Sequence, residues 1–415
     1  MTDAQLYPRN RPELLPVVIG GDIGAYALAR QLHEATGQRV KLISTQPIQA
    51  IVLSTYIDVI PQALESTALI ARLKQLAAGR APRSAVVMAN QDAVAHTLAS
   101  HRKELEPVYV VPFPSVQAME RLSNKVGFSA ACESVGLRTP RQVVVTGADL
   151  ASGDPKINIP FPLVGKPAVG ADWDEVKFEG KRKIYFLEGP EQLHALWEDL
   201  RRAGFTSTFL IQERIPGDDD AMRSVTAYVA STGETTVIGS ARVLLEDHVP
   251  SLIGNPVAMI TEPYPELWEA TERLLSQVDY RGFANLDIKI DPRDGRAVFF
   301  EVNPRIGRNS FYMSAAGINP MVPMISDLVD GRPGPRREAR REALYSLLPH
   351  HLLLHQLDDP ELRRRVLRLV PRAVDPLLDP AERSLRRRLL VAVQKLNHDR
   401  KFHRYHPKPL LRRRR

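Results

Sequence analysis

A hairpin near residue 294 constrains this chain more than any other stretch. The runs Ala284-Asn285-Leu286-Asp287-Ile288-Lys289-Ile290 and Ala297-Val298-Phe299-Phe300-Glu301-Val302-Asn303 flank the turn Asp291-Pro292-Arg293-Asp294-Gly295. Pro292 presets φ for a type I turn and Gly295 can take the left-handed position that closes it. The runs should therefore pair antiparallel about Asp294. In that register Asp287 faces Glu301, with Cβ atoms about 4.5–5.5 Å apart, and Asn303 returns to the same face two residues later. Leu286, Ile288, Val298 and Phe300 make the hairpin apolar enough to anchor on a core. Two carboxylates that close repel unless a cation bridges them. Hard oxygen ligands on a rigid strand pair suit Mg2+ that also holds substrate phosphates, with Mn2+ as the alternative. Asp287, Glu301 and Asn303 are the candidate metal ligands, and a solvated hairpin face is the competing reading.

Three motifs precede the hairpin. In Leu122-Ser123-Asn124-Lys125-Val126-Gly127-Phe128 and its continuation, Phe128, Ala131, Cys132 and Val135 recur at helical spacing, and Gly136 ends the helix. Phe161-Pro162-Leu163-Val164-Gly165-Lys166-Pro167 is a short strand that carries an ammonium beside Ala168-Val169-Gly170. Phe209-Leu210-Ile211-Gln212-Glu213-Arg214-Ile215-Pro216-Gly217 is a strand ending in a turn. In this order, ahead of Asp287, Glu301 and Asn303, the motifs make the stretch from about Pro16 to Asp330 resemble the ATP-grasp superfamily. The resemblance implies an enzyme that clamps ATP between two α+β halves, phosphorylates a carboxylate and lets an amine attack the acyl phosphate. Phosphoryl transfer is helped mainly by positioning and electrostatic stabilisation, which explains the residue types. On the family pattern Lys125 and Lys166 neutralise the phosphates, Glu213 accepts the adenine amino group and the Ile215 backbone lies on the ring edge. Asp219 or Asp220 accepts the ribose hydroxyls, with the run Asp218-Asp219-Asp220 leaving the register open. Arg305, with Lys166, serves the transferred phosphoryl group. The competing readings are a helix-surface lysine at 125, a solvated strand end at Glu213 and exposed arginines at 305 and 308.

The start of the chain reads as a strand, a glycine turn and a helix: Pro16 to Ile19, Gly20-Gly21-Asp22, then Ala25 to Glu34, followed by the strand Val40 to Ser44. This resembles the Rossmann-like domain that precedes many ATP-grasp domains. It is a poor dinucleotide site, because the glycines do not form G-x-G-x-x-G and no acid ends the second strand. On the resemblance, Gly20, Gly21 and Asp22 are substrate-side candidates, and a tight turn is the alternative. Further strands are expected at Ala85 to Met88 and Tyr109 to Val111, and Ser115 caps a helix. The stretches Gly170-Ala171-Asp172-Trp173-Asp174 and Gly180-Lys181-Arg182-Lys183 read as a charged lid able to close on phosphates. Arg242 and Arg308 are substrate candidates, and His248, with Glu246 and Asp247, could face the acceptor. The unperturbed pKa of His248 lies near neutrality, so it could assist amine deprotonation, and an exposed loop histidine is the competing reading. His350, His351 and His355 lack the acid of H-E-x-x-H and read as a packed amphipathic helix.

The 415 residues, 44% hydrophobic, allow two or three domains with real cores. The fold class expected is α/β and α+β: residues 1–114 Rossmann-like, 115–331 ATP-grasp with a lid at about 141–208, and 332–415 a basic helical extension. The single cysteine, Cys132, excludes an internal disulfide framework, and no apolar run is long enough to span a bilayer. The N-terminal stretch Met1 to Arg11 lacks a secretory apolar core, so the expected location is cytoplasmic.

The net charge of +8 divides unevenly: residues 332–415 carry +14 and the preceding body −6. Within that tail Leu385, Leu389, Val393 and Leu396 recur at helical spacing among Arg383, Arg386, Arg387, Arg388 and Lys395, as in an interfacial helix. Peripheral contact with an anionic membrane is one expectation. Leucines packed on the catalytic body, or a homo-oligomer contact, are the others. The clusters Arg363-Arg364-Arg365, Arg386-Arg387-Arg388 and Arg412 to Arg415 could hold nucleic acid through phosphates, but few aromatics interleave them, which disfavours specific recognition.

Taken with the resemblance, the chain is expected to be an ATP-dependent, ADP-forming carboxylate–amine ligase acting on small-molecule carboxylate and amine substrates. Its Asn124-Lys125, Gln212 to Gly217 and Glu301-Val302-Asn303-Pro304-Arg305 segments resemble the D-aspartate ligase-like group, whose members add an amino acid to a cell-wall peptide precursor. A cytosolic dipeptide or amino-acid ligase is the alternative enzyme.

Overall fold

A computed structural model describes residues 11, 13–168, 170–249 and 252–406. The basic cluster Arg412–Arg415, Val169, Pro250 and the first ten residues lie outside the described residues. The chain forms two compact units. The first comprises the residues up to Ala131, Asp218–Ile288 and everything from Glu301 onward; the second comprises Cys132–Gly217 and Lys289–Phe300.

In the first unit, β1 (Leu15–Ile19), β2 (Val40–Ile43), β3 (Ile57–Ile60), β4 (Ala85–Ala89) and β5 (Tyr109–Val110) make a parallel sheet in the order β3-β2-β1-β4-β5. Every residue of β1 and β4 is buried, as expected for parallel strands covered on both faces. The strand order reverses between β1 and β4, and the ends of those two strands are where such sheets bind ligands. Helix α1 (Ile23–Thr36) starts there, with Asp22 as its N-cap accepting from the Ala25 amide at 2.9 Å. Helix α2 (Val116–Ser123) is capped by Ser115, as the sequence predicts, and α3 (Lys125–Ser134) follows after a break at Asn124. Gly136, at φ 72°, takes the left-handed conformation at the end expected for this helix.

The second unit is a four-stranded antiparallel sheet of β6 (Gln142–Thr146), β7 (Leu163–Pro167), β8 (Tyr185–Leu187) and β9 (Thr208–Glu213), ordered β6-β9-β7-β8. Trp173, Trp197, Phe205 and Phe209 fill its core. The expected lid segments are tied to this core rather than held out as loose charge. Trp173 is buried, and Lys181 Nζ donates to the carbonyls of Trp173 at 2.6 Å and Val176 at 2.7 Å.

The remaining strands are β10 (Met222–Val229), β11 (Thr235–Glu246), β12 (Pro256–Thr261), β13 (Gly282–Ile290), β14 (Ala297–Asn303), β15 (Arg337–Ala339) and β16 (Leu344–Ser346). They form a seven-stranded sheet in the order β14-β13-β10-β11-β12-β16, with β15 parallel to β11. Strands β13 and β14 are the expected hairpin, and the Gly295 amide closes its turn on the Asp291 carbonyl at 2.7 Å with φ 71°.

The tail begins differently from the expected helical extension. Residues 337–346 supply two sheet strands, and helices follow only from His350. Helix α4 (Leu385–Tyr405) packs on the first unit through Arg387, Val391, His398 and Phe402. Arg387 therefore corrects the expectation that it flanks an exposed stripe. It is buried, lies 4.7 Å over the Tyr26 ring, and donates to the carbonyls of Ala50 and Leu377. Glu382, also buried, accepts from Ser54, Thr55 and Tyr26. The second correction concerns the leucines. Leu385, Leu389, Val393 and Leu396 do not cover the body; they are 78%, 68%, 59% and 59% exposed.

Candidate active site

The base of the β13–β14 hairpin, in the first unit, gathers the candidates for metal and phosphate. Asp287 lies within hydrogen-bonding reach of Glu301, and the Asn303 amide donates to the second Asp287 oxygen at 3.2 Å. Burial pushes the Asp287 carboxyl well above the usual range and the neighbouring Glu301 pushes it further, while Arg305 opposes them. Lys125 Nζ reaches Glu301 Oε2 at 3.0 Å. That contact starts with Asn124, whose side chain accepts from the amides of Val126 and Gly127 and so opens α3 at Lys125. Lys125 is thus not the surface lysine of the competing reading. Arg305 donates to Asn303 Oδ1 at 3.0 Å and pairs with Asp92 at 2.9 Å.

Asn285, two residues before Asp287 on the same strand face, completes this arrangement. Its Oδ1 accepts from Ser224 and Thr226, and its amide points toward Asp287 at 3.5 Å. The sequence reading passed over it, although period-two spacing from Asp287 was the available signal.

A second group sits at the strand ends of the parallel sheet. Arg308 Nε bonds Asp22 at 2.6 Å, and Asn90 Nδ2 donates to Asp22 at 3.1 Å. Burial raises the Asp22 carboxyl, but Arg308 and the hydrogen bonds from Ala25 and Asn90 outweigh it and hold the group below its usual value. The buried Asn90 Oδ1 has no partner among the described residues. Gly24 permits this crowding, since a Cβ there would lie 2.2 Å from the Asn90 amide nitrogen and 2.8 Å from Arg308 Cγ. Asn90 also escaped the sequence reading, yet it is the first residue after a buried parallel strand, where ligand-binding groups concentrate.

The other candidates of the first unit are engaged with each other. Asp220 pairs with Arg242 at 2.8 Å. Asp219, one of the two ribose candidates, accepts from His248 at 3.1 Å and from the Glu246 amide at 2.9 Å. The hydrogen bond to Asp219 raises the His248 pKa despite its partial burial, and His406 stacks on it at 3.9 Å. His248 is therefore a half-buried group held by Asp219, not an exposed loop histidine.

Lys166, Glu213 and Ile215 belong to the second unit. Lys166 stands on β7, an inner strand, paired in register with Leu210. Glu213 ends β9 buried, bonded by Arg293 at 2.8 Å and Arg141 at 3.1 Å. Burial raises it, but the two guanidiniums prevail and lower its pKa. Neither arginine was foreseen. The Ile215 carbonyl accepts from Lys289 Nζ at 3.2 Å.

The two carboxylates at the hairpin base fit a divalent cation: they lie within hydrogen-bonding reach of each other, and burial, with Glu301 alongside, holds the Asp287 carboxyl above its usual range. Among the described residues there is no group of three or more His, Cys, Asp or Glu side chains able to hold a metal. Two carboxylates and an amide suit Mg2+ that completes its shell with phosphates and water, not a cage made by protein alone.

No protein-family model matches the chain. It is 32% identical to the D-aspartate ligase of Enterococcus faecium over 314 residues, which cover 74% of this chain and 75% of that one. It is 23% identical to the carbamoyl phosphate synthase large chain of Myxococcus xanthus, over 64% of this chain and 22% of that one. Among solved structures, the ADP complex of purK, an N5-carboxyaminoimidazole ribonucleotide synthetase, superposes with a TM-score of 0.58 at 15% identity, covering 87% of this chain and 86% of that one. An L-amino acid ligase from Bacillus licheniformis superposes with a TM-score of 0.52 at 16% identity, over 79% and 78% of the two chains. The structural likenesses establish the fold, and the D-aspartate ligase identity extends across both units. The chain belongs to the ATP-grasp carboxylate–amine ligases, enzymes that form carbon–nitrogen bonds, within the family of D-aspartate ligase.

Proposed function

We propose that this protein uses ATP and Mg2+ on the cytoplasmic side of the cell to join an amino acid, through an acyl phosphate, to an amine of a cell-wall peptide precursor. The supporting observation is the buried Asp287 carboxyl beside Glu301, whose charged form burial and its neighbour disfavour and a bound cation would stabilise. Asp287, Glu301 and Asn303 would hold Mg2+, which supplies charge neutralisation for the phosphates. Lys125 and Lys166 bind the phosphates, Arg305 faces the transferred group, and the Glu213 to Ile215 segment carries adenine.

A donor carboxylate oxygen attacks the γ-phosphorus and ADP leaves. The amine nitrogen then attacks the acyl carbon, phosphate departs, and the amine gives up a proton as the amide forms. An amino acid is zwitterionic, and the Arg308–Asp22 pair offers one partner for each of its charges, with Asn90 Oδ1 as an additional acceptor. D-Aspartate is the first donor to try, because the E. faecium relative carries that name. Arg308→Ala should raise the donor KM about 10- to 100-fold, the range of a hydrogen bond to a charged group.

The test is mass spectrometry of reactions containing ATP, Mg2+, amino-acid donors and either precursor peptides or free amino acids. The expected result is a peptide heavier by one amino-acid residue, with one ADP and one phosphate per bond. A product formed only on a free amino acid would replace this reading with a dipeptide ligase. ADP release that no donor and acceptor pair stimulates would overturn it.

A further inference from the structure

We propose that the outer face of α4 is a docking surface for an anionic lipid bilayer, a role separate from the chemistry of the ligase. This helix has two apolar faces. Val391, Phe402 and the stem of Arg387 lie on the one that packs against the body, with His398. At about 100° per residue, Leu385, Leu389, Ala392, Val393 and Leu396 fall within an arc of roughly 100° on the opposite side, about 17 Å long. All five are exposed. Exposed Arg386 and Arg404 border one edge of the stripe, exposed Arg388 the other, and exposed Arg400 lies between. The helix contains one acidic residue, Asp399, and it is paired with His351 at 3.1 Å.

An aliphatic stripe bordered by exposed arginines matches a surface with an apolar interior and anionic head groups. A second copy of the chain would fit poorly. A two-fold contact along the stripe would bring the same arginines against each other, and the one carboxylate of the helix, Asp399, is already paired with His351. The fold also keeps the stripe presented. Buried Arg387, stacked over Tyr26 beside Glu382, fixes the rotation of the helix about its axis. Among the described residues no helix is long and apolar enough to cross a membrane, so the contact would be peripheral.

Flotation of the full-length protein with vesicles tests this, using mixed phosphatidylglycerol and phosphatidylcholine against phosphatidylcholine alone, at low and high salt. Binding should require the anionic lipid and be lost at high salt, because screening shortens the reach of the arginines. The variant L385Q/L389Q/V393Q/L396Q should lose most of its binding while keeping wild-type helicity and ligase turnover, since all four side chains are exposed. R386A/R388A/R404A should lose the preference for anionic vesicles. Absence of flotation at low salt would overturn the proposal, as would equal flotation of the glutamine variant. Light scattering that shows a dimer in the wild type, and a monomer in the glutamine variant, would reassign the stripe to self-association. Displacement from vesicles by RNA at equal charge, with flotation unaffected by the glutamine variant, would reassign it to nucleic acid.

Discussion

One hairpin carries two carboxylate clusters of opposite character. At its base, in the first unit, Asp287 and Glu301 face each other with Lys125 and Arg305 nearby, and Asp287 is held above its ordinary pKa. At its tip, in the second unit, Asp291 is bound by Arg293 at 2.6 Å and Arg138 at 3.0 Å, and Arg293 also serves Glu213. The Arg293 hydrogen bond leads the causes that drive Asp291 far below the usual carboxylate range. At the tip the acids already have their counter-charges. The base is incomplete, and a group that is costly in the unliganded protein is the kind a ligand is needed to finish. Two acid clusters with similar composition are thus told apart by whether the counter-charge is already in place.

The largest expected difference is in turnover. Asp287→Asn or Glu301→Gln should lower kcat by 100-fold or more, corresponding to about 3–4 kcal/mol of transition-state stabilisation, with the fold unharmed. Steady-state kinetics with circular dichroism measures both. Variants that keep wild-type rates and magnesium dependence would remove the distinction between base and tip.

The tip should respond through stability. Asp291→Asn should cost about 1–2 kcal/mol, because arginines that remain partly exposed can turn to water, which limits the penalty. Denaturant titration reads this directly. Glu213→Gln separates two roles. A loss of stability with ATP preferred over GTP as before would make Glu213 purely a member of the ion-pair network, and a loss of that preference would give its side chain a part in adenine recognition.

The smallest effect concerns pH, and its sign differs between the clusters. Asp287 has a raised folded pKa, so the stability associated with its proton is fully present below the unfolded value of about 3.9 and is lost as pH rises through the folded value. Asp291 and Glu213 have depressed values, so their contribution is present above the unfolded pKa and lost as pH falls through the folded one. Without metal, Asp287→Asn should therefore flatten the alkaline limb of a melting-temperature profile, while Asp291→Asn flattens the acid limb. The same limb flattened by both would show that the clusters do not differ electrostatically.

Much of the base was legible in the sequence because it is local. Pro292 and Gly295 set the turn, the turn sets the register, and the register brings Asp287, Glu301 and Asn303 to one face. The tip was not legible, since Arg138 and Arg141 lie far from Asp291 and Glu213 along the chain and no periodicity links them. Asp219 with His248 escaped for the same reason. In the tail, spacing revealed the stripe of Leu385, Leu389, Val393 and Leu396 but could not say whether it was covered. That depended on Arg387, which looks like a surface residue until Tyr26 and Glu382 are placed around it. Strands β15 and β16 were hidden inside a stretch whose arginines suggested solvent.

The most direct test of the central claim is magnesium titration by calorimetry into protein saturated with a non-hydrolysable ATP analogue, at about pH 6 and about pH 8, for wild type and Asp287→Asn. A cation at Asp287 must compete with protons for a carboxyl whose pKa is raised, so wild-type affinity should rise with pH. Asp287→Asn should bind magnesium more weakly at both pH values and with less pH dependence. Equal magnesium affinity in the two proteins, with the same response to pH, would contradict the assignment of the hairpin base as the metal site.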